Sequence, residues 1–436
     1  MLACTAALVQ TAAGCTGGSH SGSAGSVGSK SNPVTITFWH GWSQPHELRA
    51  INANIAGFEK LYPNIHVRTV PAITADTLAQ GMRATGAAAP DVVSDFAPTD
   101  VGKYCSTGAF IDLGPLLGQS GIDPVKTFPD AMLGYTQYQG KQCALPLLGD
   151  DYGLYYNKDM FQAAGISGPP KTFSELAADA VRLTKGDGSQ QIGYVPVFDY
   201  YEQNTGNLAA QYGARYFNAE GRANLAADPS FTDLFNFNKD LAAKLGGTAH
   251  LETLRTGYGD EFSANAFDEG KVAMQMDGEW RIANLNLDKV PFQWGTAPFP
   301  VPDDLASTYG RSLLTGTVIA INRNSSKQAA AWDLTRYLTT NTNALVTFAN
   351  AIDNVPSTFA ALKSPDLKLP AAFQTFLDVA NNPYSDTQPA TADGDGYLTT
   401  LQQLGIAFQS GGVTDLAAGF KAADATINAA LAQSQP

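Results

Sequence analysis

The 436-residue chain is poor in the side chains on which catalysis and metal binding most often rest. It has four cysteines and five histidines, and they fall at no spacing that would gather ligands round a metal ion. No G-x-S-x-G elbow, Walker loop or H-E-x-x-H helix occurs, so the commonest local signatures of hydrolases, NTPases and metalloproteases are missing. Charge is also scarce, at 15% of residues, and cations are the rarer kind: 27 Lys and Arg face 40 Asp and Glu, for a net charge of −13. A surface this acidic cannot neutralise phosphates, which argues against nucleic acid or an anionic membrane face as partner. What the chain does hold is apolar bulk, 44% hydrophobic and 10% aromatic. That is a globular composition with core enough for two or three domains or one large two-lobed unit. Its 17 Tyr and 5 Trp also offer flat faces for ring-shaped ligands.

Lys and Arg are absent before Lys30. The opening MLACTAALVQTAAGC is apolar, too short to span a bilayer as a stable helix, and similar to the central part of an export signal. Its end, Ala12-Ala13-Gly14-Cys15, resembles a bacterial lipobox, in which the cysteine is lipidated; a plain cleaved secretion signal is the alternative. Residues 16–32 are rich in Gly and Ser and read as a flexible tether. The expectation is an export signal over 1–15, a tether over 16–32, and a folded body held outside the cell membrane by a lipid on Cys15. Two cysteines remain, Cys105 and Cys143. An even pair in an exported chain predicts a disulfide.

The body begins with an alternating, β-branched stretch, Val34 to Trp39, which reads as a strand. Apolar residues at 48, 51, 55, 58 and 61 mark a helix from His46 to Leu61, Pro63 stops it, and 65–70 is a second strand. A helix over 74–86 and a strand over 89–95 complete a β-α-β-α-β run, the mark of a parallel α/β layer. Thr172-x-x-Glu175 is a capping box that opens another helix. Residues 230–245, 326–340 and 414–431 read as helices, and 192–197 as a β-like run. No Gly/Ser linker follows residue 32, so two lobes, if present, are interleaved.

Several motifs in sequence order carry a family resemblance: TFWHGW, FEKLYPNIHV, PDVVSD, LYYNKDMFQAAGISGPPKTFSEL, FDEGKVAMQMDGEW, TAPFPVP, TGTVIAINRNSSKQAA and DNVPS. Together they make the chain, from about residue 33 onward, similar to the extracellular sugar-binding proteins of ABC importers with the maltose-binding-protein fold. The resemblance implies an α/β fold of two lobes, each a mixed sheet flanked by helices, with a ligand cleft at the hinge. It implies chain crossings near 147–150, 297–301 and 351–356, hence one lobe from 33–148 plus 299–352 and the other from 149–298 plus 353–436. It implies no enzyme activity and no cofactor. The expected partners are a mono- or oligosaccharide and the membrane subunits of a permease, and the expected state is a monomer. A secreted carbohydrate-active hydrolase and a receptor for glycerol phosphate-type solutes remain as alternatives.

The adjacent acids Asp150 and Asp151, in LPLLGDDYGLYYNKDMF, test these readings. A glycosidase needs two carboxyls about 5–10 Å apart across its substrate. Neighbours on an extended strand point to opposite sides, so this pair reads as binding. In maltose-binding members of the family, an acid six residues before the tyrosine of Tyr-Asn-Lys contacts sugar, and that position is Asp150. The same resemblance nominates Trp280, with Glu279 beside it, as a stacking platform, and Trp42 in the loop after the first strand. It also nominates Asp95 at the end of the third strand, where maltose binders have a stacking Trp, and Tyr152 next to the two acids. Tyr200, Tyr201 and Glu202, the small turn Thr315-Gly316, and Tyr397 complete the set. The stretch Asp393-Gly-Asp-Gly has the composition of a cation loop but lacks the liganding run and terminal Glu of an EF-hand; no metal is expected. Arg281 and Arg311 stand as cations able to meet a phosphate or an acidic sugar, but the nominated contacts are mostly acids and aromatics, which favours a neutral saccharide.

Overall fold

A computed structural model describes residues 27–259 and 265–434. Cys15 and most of the tether lie outside them. Ten strands occur among these residues: β1 (Val34–Trp39), β2 (Ile65–Val70), β3 (Val92–Asp95), a small hairpin of β4 (Gln137–Tyr138) and β5 (Lys141–Gln142), β6 (Leu145–Asn157), β7 (Met274–Gly278), β8 (Trp294–Pro298), β9 (Leu314–Ile321) and β10 (Val355–Pro356). One sheet runs in the order β10-β6-β9-β3-β1-β2. Its β1–β2 and β1–β3 pairs are parallel, as the β-α-β-α-β run requires. The return strand β9 is antiparallel and pairs Val318 with Asp95.

The 13-residue β6 belongs to two sheets. Residues 145–151 pair with β9, whereas 152–157 lie between β7 and β8. The change of partner falls between Asp151 and Tyr152, later than the break expected after residue 148. Within the last expected crossing, 351–356, Val355 and Pro356 pair with Gly149 and Leu148 in the first-lobe sheet. In the middle of β6 alternate side chains turn toward different surroundings, so hydrophobic pattern alone does not mark where one sheet hands the strand to the other.

Local signals account for the helices. Thr172 caps the helix Phe173–Leu183: its hydroxyl accepts from the Glu175 amide, and Glu175 accepts in return from the Thr172 amide at 3.3 Å. Pro45 opens the helix Pro45–Leu61, where Glu47 accepts from the Gln44 amide at 2.9 Å. The helix buries Ile51, Ile55 and Phe58 and leaves Leu61 exposed at its end. One core forms round these residues and Ile36, Leu145 and Ile319. A second fills the other lobe with Leu154, Phe173, Leu176 and Phe235. A third, with Val93, Val318, Tyr155 and Phe376, joins the two across β6. The stretch 192–197 is no regular strand: Ile192 bridges Val272, and the rest is buried irregular chain.

Cys105 and Cys143 form a disulfide with Cα atoms 5.7 Å apart. It ties the helix Asp100–Ser106 to the chain entering β6.

Candidate functional site: a cleft at the strand shared by both sheets

Between the lobes lies a cleft of about 380 Å³. From the first lobe come the loop after β1 (residues 41–47), Phe96 after β3, Asp150 on β6, and Thr315 and Thr317 on β9. From the second come Tyr152, Glu202, Trp280 and Asn284. A further compartment of about 490 Å³ shares Phe96, Tyr152 and Thr315 with it. The site therefore sits beyond the carboxyl ends of parallel strands β1 and β3, where α/β folds place ligands, and at the point where β6 changes sheets.

Of the residues the sequence nominated, Trp42, Asp150, Tyr152, Glu202, Trp280 and Thr315 line this cleft. Trp42 is only 3% exposed and is held edge-on by Phe348 and Phe96, with ring centroids 5.1 and 5.5 Å away. Trp280 is half-buried and meets Tyr152 edge to face at 5.8 Å. Glu202 reaches the cleft from a turn in which Asp199 and Tyr201 adopt left-handed backbone, φ 74° and 47°. Such conformations are costly for non-glycine residues and recur at functional positions. Its carboxylate accepts from Asn207 at 3.0 Å.

The other nominees do not line the cleft. Asp95 is buried: one oxygen accepts from the Ala97 amide at 2.9 Å, and the other has no partner. Strand parity explains the error. Side chains 95 and 96 point to opposite sides, so Phe96, 49% exposed, presents an aromatic face where the sequence reading put a carboxylate. Tyr200 is buried in the second-lobe core. Tyr201 donates its hydroxyl to the Gly259 carbonyl. Tyr397 lies inside the helix Gly396–Gln409, buried, and donates to the Pro389 carbonyl. Gly316 is in the body of β9 rather than a turn, opposite Gly149, and a Cβ there would collide with the Leu148 carbonyl. Asp151 and Glu279 are fully buried behind the wall.

These two acids nonetheless shape the site. Glu279 accepts from the Asp151 amide at 3.0 Å and shares a hydrogen bond with the Asp150 carboxyl. Burial pushes the pKa of Glu279 well above the ordinary range, and the neighbouring Asp150 and Asp151 push it further. The raised pKa favours Glu279 as the donor and Asp150 as the acceptor of that bond. Asn354 donates to the other side of Asp150 at 3.0 Å. Asp150 is raised by burial and held back by those two donors, and of the three acids it is the one that lines the cleft. Asp151 points the opposite way, toward a small cavity of about 70 Å³. Neither of its oxygens has a donor, and burial raises its pKa well above the carboxylate range.

The chemistry available follows from this geometry. Two hydrogen-bonded carboxyls on one wall cannot flank a glycosidic bond as an acid and a nucleophile or base must. A single fixed carboxylate among aromatic faces can accept from hydroxyls while apolar ring faces stack beside it. Among the described residues no group of three or more His, Cys, Asp or Glu side chains converges as metal ligands would. Asn354 and Asn284 went unnoticed in the sequence. Asn354 lies in the DNVPS motif and Asn284 four residues after DGEW, but a lone asparagine carries no local signal that it faces a cleft.

The lobes also touch outside the cleft. Gly102 abuts the Thr391 carbonyl so closely that a Cβ would collide, and Gly394 sits against the Asp100 carboxylate. Asp95, Asp100 and Asp395 therefore gather at one seam, with Lys103 bound to Asp100 at 3.5 Å.

Comparison with known proteins agrees with this picture. The model of the bacterial extracellular solute-binding protein family matches residues 42–345. A protein of Brucella abortus described as a binding protein is 27% identical over 237 residues, or 51% of this chain and 53% of that one; the chain thus spans about half the length of that relative. A probable ABC transporter-binding protein of Deinococcus radiodurans is 28% identical over 316 residues, 68% of this chain and 71% of its own. Among solved structures, a mannotriose-bound protein, CpMnBP1, aligns over 90% of this chain and 99% of its own, with TM-score 0.79 and 24% identity. The GacH receptor of Streptomyces glaucescens, solved unliganded and in complex with acarbose, aligns over 92% of this chain and 99% of its own, with TM-score 0.74 and 20% identity. The fold is that of the two-lobed sugar-binding proteins, and with the family model covering most of its length the chain belongs to the bacterial extracellular solute-binding proteins.

Proposed function

We propose that the chain is the carbohydrate receptor of an ABC importer, that it captures a sugar in the cleft without reacting with it, and that it passes the sugar to a membrane permease as a monomer. The observation that carries this is the wall at the sheet changeover. One oriented carboxylate, Asp150, fixed by Asn354 and Glu279, lies among Trp280, Trp42, Tyr152 and Phe96. Similar proteins whose names or titles mention maltotriose, mannotriose and acarbose support it. No helix among the described residues is long and apolar enough to cross a membrane. Attachment at the outer face of the cell membrane is assigned to a lipid on Cys15 and the 16–32 tether, the reading their sequence supports.

A thermal-shift screen against mono-, di- and oligosaccharides tests the reading. A sugar at 100 times its Kd adds roughly 2.7 kcal/mol of stability, and a broad panel that shifts nothing would remove the proposal. Once a sugar is found, Trp280→Ala is expected to weaken it by about 1–3 kcal/mol, the scale of one large apolar face. Circular dichroism should show the fold unchanged, since Trp280 is at the cleft surface.

Asp150→Asn separates receptor from hydrolase. The amide keeps one acceptor but loses the charge, so each charge-assisted bond of about 1.5–3 kcal/mol weakens without vanishing. Wild type incubated with the same oligosaccharides should release no reducing ends. Steady turnover that Asp150→Asn abolishes would show an enzyme instead.

A further inference from the structure

The fold treats the two arginines singled out in the sequence differently. Arg281 is buried in its own lobe and paired with Asp268 and Asp277. Arg311 is half-buried, and among the described residues it has no carboxylate within ion-pair distance and no side-chain hydrogen bond; its Nε is closed off from solvent with nothing to accept from it. Burial works most strongly against its charge and Arg215 adds to this, while Asp386 nearby offsets part of it. A guanidinium normally recovers such a cost through a carboxylate or phosphate held in its planar fork. Space for it is made by Gly213, the left-handed residue that ends the helix Thr205–Tyr212, where a Cβ would stand 2.5 Å from Nη2. The guanidinium borders a cavity of about 130 Å³ shared with Arg215, Gln388 and Asp386. Asp386 is the one carboxylate on that wall, and it is engaged by Arg215 at 3.2 Å.

The cavity is the far end of the cleft. Gly206, Leu313 and Gln388 line both it and the second compartment, which in turn shares Phe96, Tyr152 and Thr315 with the first. Thr317, Thr315, Leu313 and Arg311 recur at every second residue along the segment that becomes β9, and side chains two apart on extended chain face the same way. Thr315 and Arg311 are at most about 14 Å apart along it. A groove of hydrogen-bonding and stacking groups, with carboxylates such as Asp150 and Glu202 at its other end, thus ends at a cation with no carboxylate in its fork.

We propose that Arg311, with Arg215, forms an oxyanion site at the end of this groove, and that the ligand is an oligosaccharide bearing a carboxylate, sulfate or phosphate ester at one end. This rests on the carbohydrate reading above but can fail separately from it. The test uses glucuronate, inorganic phosphate and neutral glucose at one pH and ionic strength, alongside mannotriose, maltotriose and the same trisaccharides oxidised to a uronic acid at one terminal C6. Binding is measured by calorimetry and thermal shift on wild type, Arg311→Gln and Arg311→Lys. Glucuronate or phosphate should stabilise wild type where glucose does not, and the effect should vanish in Arg311→Gln and partly persist in Arg311→Lys. Whichever anion acts identifies the source as a uronate or a phosphate ester. A uronate trisaccharide should bind at least tenfold more tightly than its neutral parent, again only with Arg311 in place. Anion effects absent from wild type, or equal in Arg311→Gln with an unchanged melting temperature, would overturn the oxyanion site. Neutral trisaccharides binding equally well to both proteins would then leave the carbohydrate reading standing, whereas an Arg311-dependent anion effect with no response to any sugar would preserve the site and refute that reading.

Discussion

Replacing both Cys105 and Cys143 by alanine is expected to lower the stability of the oxidised protein by about 4 kcal/mol. The bond closes a loop of 38 residues, and the chain-entropy relation gives about 4 kcal/mol for a loop of that size. Both residues are buried, at 3% and 1% exposure, and pack with Tyr104, Phe110 and Val318. Alanine therefore also leaves small cavities, which add to the loss. Urea titration of wild type with and without reductant, and of the double variant, measures it. Reduced wild type should approach the variant. Midpoints that coincide for all three would show that the loop is already restrained in the unfolded chain. Sugar affinity should change little, because the bond lies within one lobe and away from the cleft wall.

The second large effect is expected from Asp95→Asn and depends on pH. Burial, with Asp100 and Asp395 nearby and only the Ala97 amide and Lys103 to oppose them, raises the Asp95 carboxyl from 3.8 to about 7. A carboxyl whose folded pKa is raised binds its proton more tightly in the native than in the unfolded state. Its contribution is complete below pH 4 and is lost as pH rises toward 7, in total on the order of 4 kcal/mol. Asparagine removes the charge while keeping an acceptor for Ala97. The variant should therefore match wild type near pH 4 and exceed it at pH 8, with the difference growing by about 2–3 kcal/mol between pH 5 and 8. Denaturation curves at these pH values decide it, and a gain that does not vary with pH would show that Asp95 does not titrate in this range.

How much of this could be read from the sequence depended on how local the signal was. The capping box at Thr172 and the proline start at residue 45 are complete within a few residues, and they form as expected. The cysteine pair needed only composition and compartment. Asp150 could be placed because strand alternation separates it from Asp151, and its distance from Tyr-Asn-Lys fixes its position. The same alternation misled at β3, where being one residue off exchanged Asp95 for Phe96. Tyr200 and Tyr397 illustrate a different limit. An aromatic side chain suits a sugar face and a core equally well, and only the packing of helices distant in sequence sends these two inward. Asn354 could not be found at all, because its value comes from meeting Asp150, which is 204 residues away in the chain.

The register between β3 and β9 has a consequence for how this protein comes into being. Asp95 pairs with Val318, so the first three strands have no neighbour on that side until the ribosome has added more than two hundred further residues. At about 5–20 residues per second this delay is on the order of ten seconds to nearly a minute. Meanwhile β3 exposes an unpaired edge, and sheets closed by such distant pairings form slowly. The nascent first lobe thus stays open through most of translation. A holding chaperone or a translocation channel can engage it for that whole period, and the lobe can close only after β9 emerges.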